Sequence, residues 1–172
     1  ADLKKSVAML PVTPLHVIRP SRPAAHALLA RTYLMMRKYE AAGLHADSCL
    51  QLKSDLIDYN TLNLSATNPF VRFHAETLHY TRFQNPASMS NVRAKINMEV
   101  INSYADGDLR KQAFYRLNAG AYAQRGSYSG ETIPFGGLAT DEVYLIRAES
   151  HARAGRLQAA MDDLNKLLKM RW

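Results

Sequence analysis

Two alanine-rich segments with the same spacing of small residues, one near each end of the chain, constrain the fold more than any other feature. Tyr39-Glu40-Ala41-Ala42 superposes on Leu157-Gln158-Ala159-Ala160, an offset of 118 residues (from 39 to 157). The same offset superposes Ala30 on Ala148. Helices cross closely only where their side chains are small, so each segment is predicted to form a pair of packed helices.

The two helical pairs are predicted over residues 21–52 and 140–172. Ser21 and Thr140 are the expected caps at their first helices, because a side-chain oxygen there accepts from an unpaired backbone N–H. Gly155 is expected to end the first helix of the second pair. The pattern is that of tetratricopeptide-like hairpins. Ordinary alanine-rich hairpins are the alternative, since they imitate this pattern easily.

The residues outside the helical pairs are predicted to be less regular. Prolines at positions 11, 14, 20 and 23 predict an extended opening segment. Six of the eight glycines lie between Gly107 and Gly137, so 53–139 is expected to be loop-rich with a few short strands. The expected elements there are a strand at 70–74, a helix from Ser88 or Ser90 to about Tyr104, and a hairpin of 114–117 with 122–125.

Composition places the chain among folded globular proteins, with 47% hydrophobic and 22% charged residues. No stretch approaches the roughly 20 consecutive apolar residues of a membrane-spanning helix. The net charge is +7, but lysines and arginines are scattered among acidic residues without a basic stripe, so we expect no nucleic-acid partner. The single cysteine, Cys49, lies in an apolar helical pattern and is interpreted as a small core residue.

No convincing catalytic or metal-binding motif is present, so we predict no enzyme activity and no cofactor. His74-Ala75-Glu76 begins like a zinc deaminase signature, but that site also needs a pair of cysteines. The competing interpretation is a glycan hydrolase, which requires two carboxylates held about 5–10 Å apart. The candidate acids for such a pair would be Glu76, Glu99 and Glu131.

Aromatic residues in the irregular segments are the best candidates for ligand binding. Aromatic rings with an exposed face can stack on the apolar face of a sugar. Ordinary packing within hairpins is the alternative for each ring. Tyr122 belongs to the same group, and the residues we select as carbohydrate-binding candidates are Tyr80, Phe83, Tyr115 and Tyr128.

The helical motifs resemble a known family. Residues 141–149, 152–155 and 160–165 (DEVYLIRAE, ARAG, AMDDLN) closely resemble the last tetratricopeptide-like helical pair of the SusD/RagB family of outer-membrane nutrient-binding lipoproteins. Residues 30–35 with 39–42 resemble that family's early helical pair. Tyr104, Asp108-Leu109-Arg110 and Gly126-Ser127-Tyr128 resemble its central segment.

The resemblance implies a non-enzymatic protein that captures glycans or other nutrients and delivers them to a SusC-type TonB-dependent transporter. It also implies a location on the surface of the outer membrane, through a lipid anchor that this chain lacks. The chain starts with Ala1 and carries no lipidated cysteine, so it is predicted to be an internal fragment, with 1–172 forming one SusD-like domain.

The resemblance further implies that the helical pairs dock on the transporter. Exposed charges near the predicted turns are the candidate contacts, although simple solvation would explain each of them: Arg37, Lys38, Arg153 and Arg156. The alternative function is a tetratricopeptide-like scaffold for protein–protein interaction. A scaffold usually stacks three or more adjacent repeats, whereas the two pairs here are widely separated.

Overall fold

The computed structural model describes residues 2–84, 90 and 93–172. The predicted mostly α fold with a loop-rich centre is confirmed, and the strands are only two to four residues long. The helices are α1 (Asp2–Met9), α2 (Arg22–Met35), α3 (Tyr39–Leu52), α4 (Met98–Asn102), α5 (Leu109–Phe114), α6 (Thr140–Arg153) and α7 (Leu157–Lys169), with a 3₁₀ turn at Tyr59–Thr61. The strands are β1 (Thr77–His79), β2 (Tyr115–Asn118), β3 (Ala121–Gln124) and β4 (Leu138–Ala139).

The chain divides into two compact units. The helical unit comprises the residues up to Leu56, Ala75–Tyr80 and Gly137–Lys169. The loop-rich unit comprises Ile57–His74, Thr81–Gly136 and Met170–Trp172. The prediction of one domain over residues 1–172 stays a prediction. Among the described helices, none has both the length and the apolar character needed to cross a lipid bilayer.

The helical unit is built from the two predicted helical pairs, α2 with α3 and α6 with α7. Ser21 caps α2 through its side-chain oxygen, which accepts from the Ala24 N–H at 3.3 Å. Of the small residues that revealed the pattern, Ala30, Ala42, Ala148 and Ala160 are buried, and Ala30 and Ala42 are completely so. The helices α3 and α6 pack closely at Gly43, where an added Cβ would lie 2.9 Å from the Cβ of Ser150.

The start of α6 differs from the prediction. Thr140 is the first residue of the helix rather than its cap, and no side-chain cap is present. Its hydroxyl donates instead to the Asp55 carbonyl oxygen at 2.5 Å, and its backbone N–H donates to the Glu76 carbonyl oxygen at 3.0 Å. The hydroxyl and the backbone N–H of Thr140 therefore bind partners that are distant in the sequence, whereas the sequence predicted only a local capping hydrogen bond. Gly155, with φ at +73°, ends the helical turn after α6 as predicted.

The opening segment is also more regular than predicted, because α1 forms before the first proline is reached. Residues 2–9 are free of proline, so nothing prevents a short helix there. The segment between α1 and α2 contains Pro11, Pro14 and Pro20 and has no regular structure, apart from turns. The carbonyl oxygen of Pro11 accepts from the Arg22 N–H at 2.8 Å.

The loop-rich unit has an aromatic core. The Phe70 ring lies edge-on to Tyr59 at 5.3 Å and to Tyr128 at 4.9 Å between centroids. Phe114 lies 5.0 Å from Phe70. Such edge-to-face contacts stabilise a small core through the positive ring edge meeting the negative face. The Tyr59 and Tyr128 hydroxyls also share a hydrogen bond of 2.7 Å.

The predicted hairpin in this unit is confirmed, shifted by one residue. Strands β2 and β3 pair antiparallel from Tyr115 opposite Gln124 to Asn118 opposite Ala121. The two turn residues, Ala119 and Gly120, both have positive φ, which matches the twist of a two-residue hairpin turn.

Two other predictions for the central segment are wrong. Residues 70–74 form no strand, and Phe73 has φ of +62°, which breaks an extended run. The predicted long helix is reduced to α4, because the Asn97 side chain accepts from the Glu99 N–H at 3.0 Å and caps a helix that begins at Met98. Of the two predicted first residues, Ser90 lies in a bend rather than a helix, and Ser88 lies outside the described residues, as does Val92 of the predicted apolar face.

Candidate functional site

The four aromatic candidates lie in contrasting environments. Tyr80 in the helical unit and Tyr128 in the loop-rich unit are buried, with 9% and 6% of their surface exposed. Tyr128 also lies edge-on to His74, with 4.5 Å between ring centroids. Sugar stacking on either ring would require it to leave these positions. Phe83 is 60% exposed and Tyr115 is partly exposed, so these two rings can meet a ligand from solvent.

Phe83 is held by a short antiparallel pairing of residues 81–83 with residues 134–136. The Phe83 N–H donates to the Pro134 carbonyl oxygen at 3.1 Å, and the Gly136 N–H donates to the Thr81 carbonyl oxygen at 3.0 Å. The ring lies against Gly136, where an added Cβ would come within 3.2 Å of the ring carbons. Glycine at position 136 thus allows the phenyl ring to rest directly on the backbone.

An ion-pair trio stands beside this ring. Glu131 pairs with both Arg72 and Arg82, at 2.5 Å for Arg82 Nη1 to Oε2. The arginine side chains are 45% and 48% exposed, respectively. Two guanidinium groups share one carboxylate, so the trio keeps one positive charge.

The loop that carries Glu131 is fixed from inside. The Ile133 carbonyl oxygen accepts from the Ser127 and Ser129 hydroxyls at 2.9 and 2.5 Å. Gly130 has φ of +74°, and an added Cβ would lie 2.6 Å from the Arg72 backbone nitrogen. Only glycine meets both demands, because other residues disfavour this φ and would collide with the neighbouring backbone. The position of Glu131 relative to Arg72 is therefore set by packing.

Phe83 and Arg82 border a cavity of about 340 Å³, which we call the Phe83 site. It is lined by Arg82, Phe83, Gln84 and Ile133. Its volume is at the lower end of the roughly 300–1,000 Å³ of small-ligand sites. An exposed ring, an amide and a guanidinium together offer one apolar face and several hydrogen-bond donors.

A second cavity in the same unit contains Tyr115. It measures about 250 Å³, and its lining includes Tyr115 and Tyr122 with the polar side chains of Asp106, Lys111 and Gln112. The neighbouring Tyr104 ring lies 5.9 Å from that of Tyr115. Burial, assisted by its hydrogen bond with Tyr115, raises the pKa of Tyr104 to about 12, so this phenol stays protonated at neutral pH.

Two of the four predicted docking residues come together in the helical unit. Arg153 and Arg156 line a groove of about 280 Å³ that also includes Tyr39, the first residue of α3. The Arg153 guanidinium lies over the Tyr39 ring at 4.0 Å. Arg37 and Lys38 are exposed in the turn just before α3. The roles of these residues remain predictions.

The three acids considered for catalysis occupy unrelated settings. Glu76 is completely buried in the helical unit, whereas Glu131 is held by two arginines in the loop-rich unit. The Glu99 carboxylate accepts from the Asn97 side chain at 3.2 Å. Among residues 2–84, 90 and 93–172, no group of three or more metal-binding side chains is arranged to hold a metal ion.

Most of the Phe83 site is not evident from the sequence. Arg72, Arg82 and Gln84 carried no motif, and Glu131 was considered only as a catalytic acid. The available signal was indirect: Gly130 and Gly136 lie in a glycine-rich loop, where a close backbone approach is a common reason for glycine. Nothing in the sequence pairs that loop with Arg72, which is 59 residues from Glu131 (72 to 131).

Comparison with known proteins identifies the fold. No protein-family model matches the sequence, and no curated protein matches it. Several solved structures match, and three of them do so with TM-scores of 0.73, 0.75 and 0.71 and sequence identities of 17%, 20% and 19%. They are a SusD-like carbohydrate-binding protein and a SusD superfamily protein, both from Bacteroides vulgatus, and a SusD superfamily protein from Bacteroides thetaiotaomicron.

The chain therefore has a SusD-like fold, as its helical motifs predicted. The matches cover 99%, 98% and 99% of this chain, in the same order, but only 41%, 44% and 45% of the matched chains. The chain thus spans less than half the length of these three structures. At these identities the likeness extends to the fold alone.

Proposed function

We propose that this SusD-like chain belongs to a non-catalytic protein that captures glycans and passes them to a SusC-type TonB-dependent transporter at the cell surface. The observation that carries the proposal is the Phe83 site, where an exposed aromatic ring lies beside polar side chains. One structure with the same fold is a SusD-like carbohydrate-binding protein, which supports a glycan as ligand.

In the proposed complex, the apolar face of a sugar ring stacks on the exposed face of Phe83. Hydroxyl groups at the rim of the sugar accept hydrogen bonds from the Arg82 guanidinium. They also donate to the carbonyl oxygen of the Gln84 amide and accept from its N–H groups. The Phe83 ring rests on Gly136 before the ligand arrives, so little side-chain freedom is lost on binding. Preorganisation of this kind favours affinity without any covalent chemistry.

The test is a glycan panel measured by calorimetry against the chain and three variants. Phe83→Ala removes the proposed stacking face and should weaken binding by about 2- to 10-fold, the scale of roughly 0.5–1.5 kcal/mol for one aromatic contact. Tyr115→Ala tests the second cavity. Leu117→Ala is the control, because it removes another exposed apolar side chain, 65% exposed, from the same unit. Equal affinity in all three variants and the parent would reject both sites.

The absence of catalysis is tested on the same panel. We expect no release of reducing sugar after prolonged incubation with any glycan that binds. Release that disappears in Glu131→Gln, while stability is unchanged, would identify a hydrolase instead.

The proposed transporter contact involves the basic residues near the turns of the helical unit. Charge reversal at Arg37, Lys38, Arg153 and Arg156 in the whole protein should reduce co-purification with the transporter, while leaving glycan affinity unchanged. Undiminished co-purification would remove this docking surface from the proposal. Attachment to the outer membrane through a lipid anchor is part of the same proposal and is tested by fractionation of cells that express the whole protein.

A further inference from the structure

Resting on the proposed glycan capture at the Phe83 site, we infer that the ligand is an acidic glycan, with a uronate carboxylate bound by Arg82 and Arg72 while the sugar ring stacks on Phe83. The inference specifies the chemistry of the sugar, which the fold does not determine. It depends on the charge and the construction of the arginine–glutamate trio.

The local charge favours an anion. Arg82 is the one charged residue among the described residues 81–84, and Glu131 is the one charged residue among 126–137. Arg72 adds a second positive charge to the trio through its ion pair with Glu131. One carboxylate therefore faces two guanidinium groups, and a second carboxylate from a ligand would complete the neutralisation.

The hydrogen-bonding capacity of the trio also favours a carboxylate. Each guanidinium carries five N–H donors in a planar fork, so a single glutamate does not saturate two of them. Nearly half of each arginine side chain is exposed, at 45% and 48%, which leaves room for a ligand to approach. A planar carboxylate matches the fork of donors, whereas a neutral hydroxyl accepts from only part of it.

The trio is built in place rather than gathered by the ligand. Gly130 allows the backbone of Arg72 to lie against the loop, and the serine hydroxyls fix the loop through the Ile133 carbonyl oxygen. Ile133 and Arg82 line the same cavity as Phe83. The positive charge and the stacking ring are thus held on one short stretch of surface.

The experiment compares acidic oligosaccharides with neutral ones of the same length. The probes are an oligogalacturonate and an oligomannuronate, each with its carboxyl-reduced form, which keeps the linkage and the ring but loses the charge. Affinities are measured by calorimetry at low and at high salt. We expect at least one acid to bind about 10-fold more tightly than its reduced form, and salt to weaken this preference because it screens exposed charges.

Two substitutions locate the preference. Arg82→Gln and Arg72→Gln should each reduce affinity for the acid about 10-fold and change affinity for the reduced form less than about 3-fold. Arg116→Gln is the matched control, because it removes one positive charge from β2, which does not line the cavity, whereas the ion pairs of Glu131 are formed with Arg72 and Arg82. It should leave both affinities nearly unchanged.

The outcomes separate this inference from the proposed function. Equal binding of acid and reduced form, lost in Phe83→Ala, would overturn the acidic ligand and keep glycan capture. A preference for the acid that survives both arginine substitutions would also overturn the inference. No binding of any acidic or neutral glycan would reject the proposed function and the inference with it.

Discussion

Gly130 provides the sharpest test of how the Phe83 site is built. Two separate costs are expected when Gly130 is replaced by alanine. The backbone at φ of +74° costs an L-residue about 1–2 kcal/mol. In addition, the new Cβ would lie 2.6 Å from the Arg72 nitrogen and 2.9 Å from its Cα. Backbone atoms cannot rotate away, so a shift of the loop adds about 1–3 kcal/mol, as in other overpacked sites.

Gly120 supplies the matched control for this substitution. Its φ is +77°, nearly the same as that of Gly130, but no heavy atom lies within 4 Å of an added Cβ. In Gly120→Ala the free energy of unfolding should therefore fall only by the conformational cost of about 1–2 kcal/mol. In Gly130→Ala the free energy of unfolding should fall by roughly 2–5 kcal/mol, the sum of both costs.

Urea denaturation, followed by tryptophan fluorescence and by circular dichroism, measures the free energy of unfolding of the parent and both variants. Gly130→Ala should also weaken glycan binding under conditions where the variant is fully folded, because the shift displaces Arg72 from Glu131. Equal losses of stability in the two variants would refute the close approach of Arg72 to the loop. Unchanged glycan affinity in folded Gly130→Ala would refute the dependence of the site on that approach.

Three further predictions concern the helical unit. Gly43→Ala should destabilise the helical unit although alanine favours helices, because the new Cβ would lie 2.9 Å from the Cβ of Ser150. Thermal melting should show that adding Ser150→Gly partly restores the melting temperature. His26 and His45 share a 3.0 Å hydrogen bond between their Nδ1 atoms, and burial, with nearby positive charge, lowers the pKa of both imidazoles below 6.5. The unfolded chain then binds protons more readily than the folded chain. The free energy of unfolding should therefore be highest above pH 6.5 and should fall as the pH drops below that value. A His45→Gln variant should show a weaker decline in urea midpoints between pH 7.5 and 5. Burial raises the pKa of the Cys49 thiol to about 12, so a thiol reagent at pH 8 should leave the folded chain unmodified and react only after denaturation.

The local signals in the sequence predicted the helical unit well. Ser21 caps α2, and Gly155 ends the turn after α6, because both residues act through their own backbone and its nearest neighbours. The buried alanines Ala30 and Ala42 marked the helix crossings for the same reason: packing distance depends on side-chain size, which is visible residue by residue. Thr140 was misassigned as a cap because its partners, Asp55 and Glu76, are distant in the sequence.

The aromatic core of the loop-rich unit, in contrast, could not be predicted from local signals in the sequence. Exposure of aromatic residues could not be derived from the irregularity of their segments, since Tyr128 is buried among other rings whereas Phe83 is open to solvent. Each ring's burial depends on which distant segments pack beside it. The sequence therefore supplied four plausible rings, and only their tertiary neighbours distinguished those with a free face.

The two helical pairs and the resemblance to a SusD-like fold could be predicted from the sequence, because helix caps, helix stops and small crossing residues are short-range properties. The meeting of Arg72, Arg82 and Glu131 beside Phe83 is visible only in the folded chain. These residues come from three separate segments, brought together by a positive-φ glycine and a backbone pairing between residues 81–83 and 134–136. Such long-range contacts depend on how loops close around a core, and that is a property of the whole folded unit rather than of any short stretch of sequence.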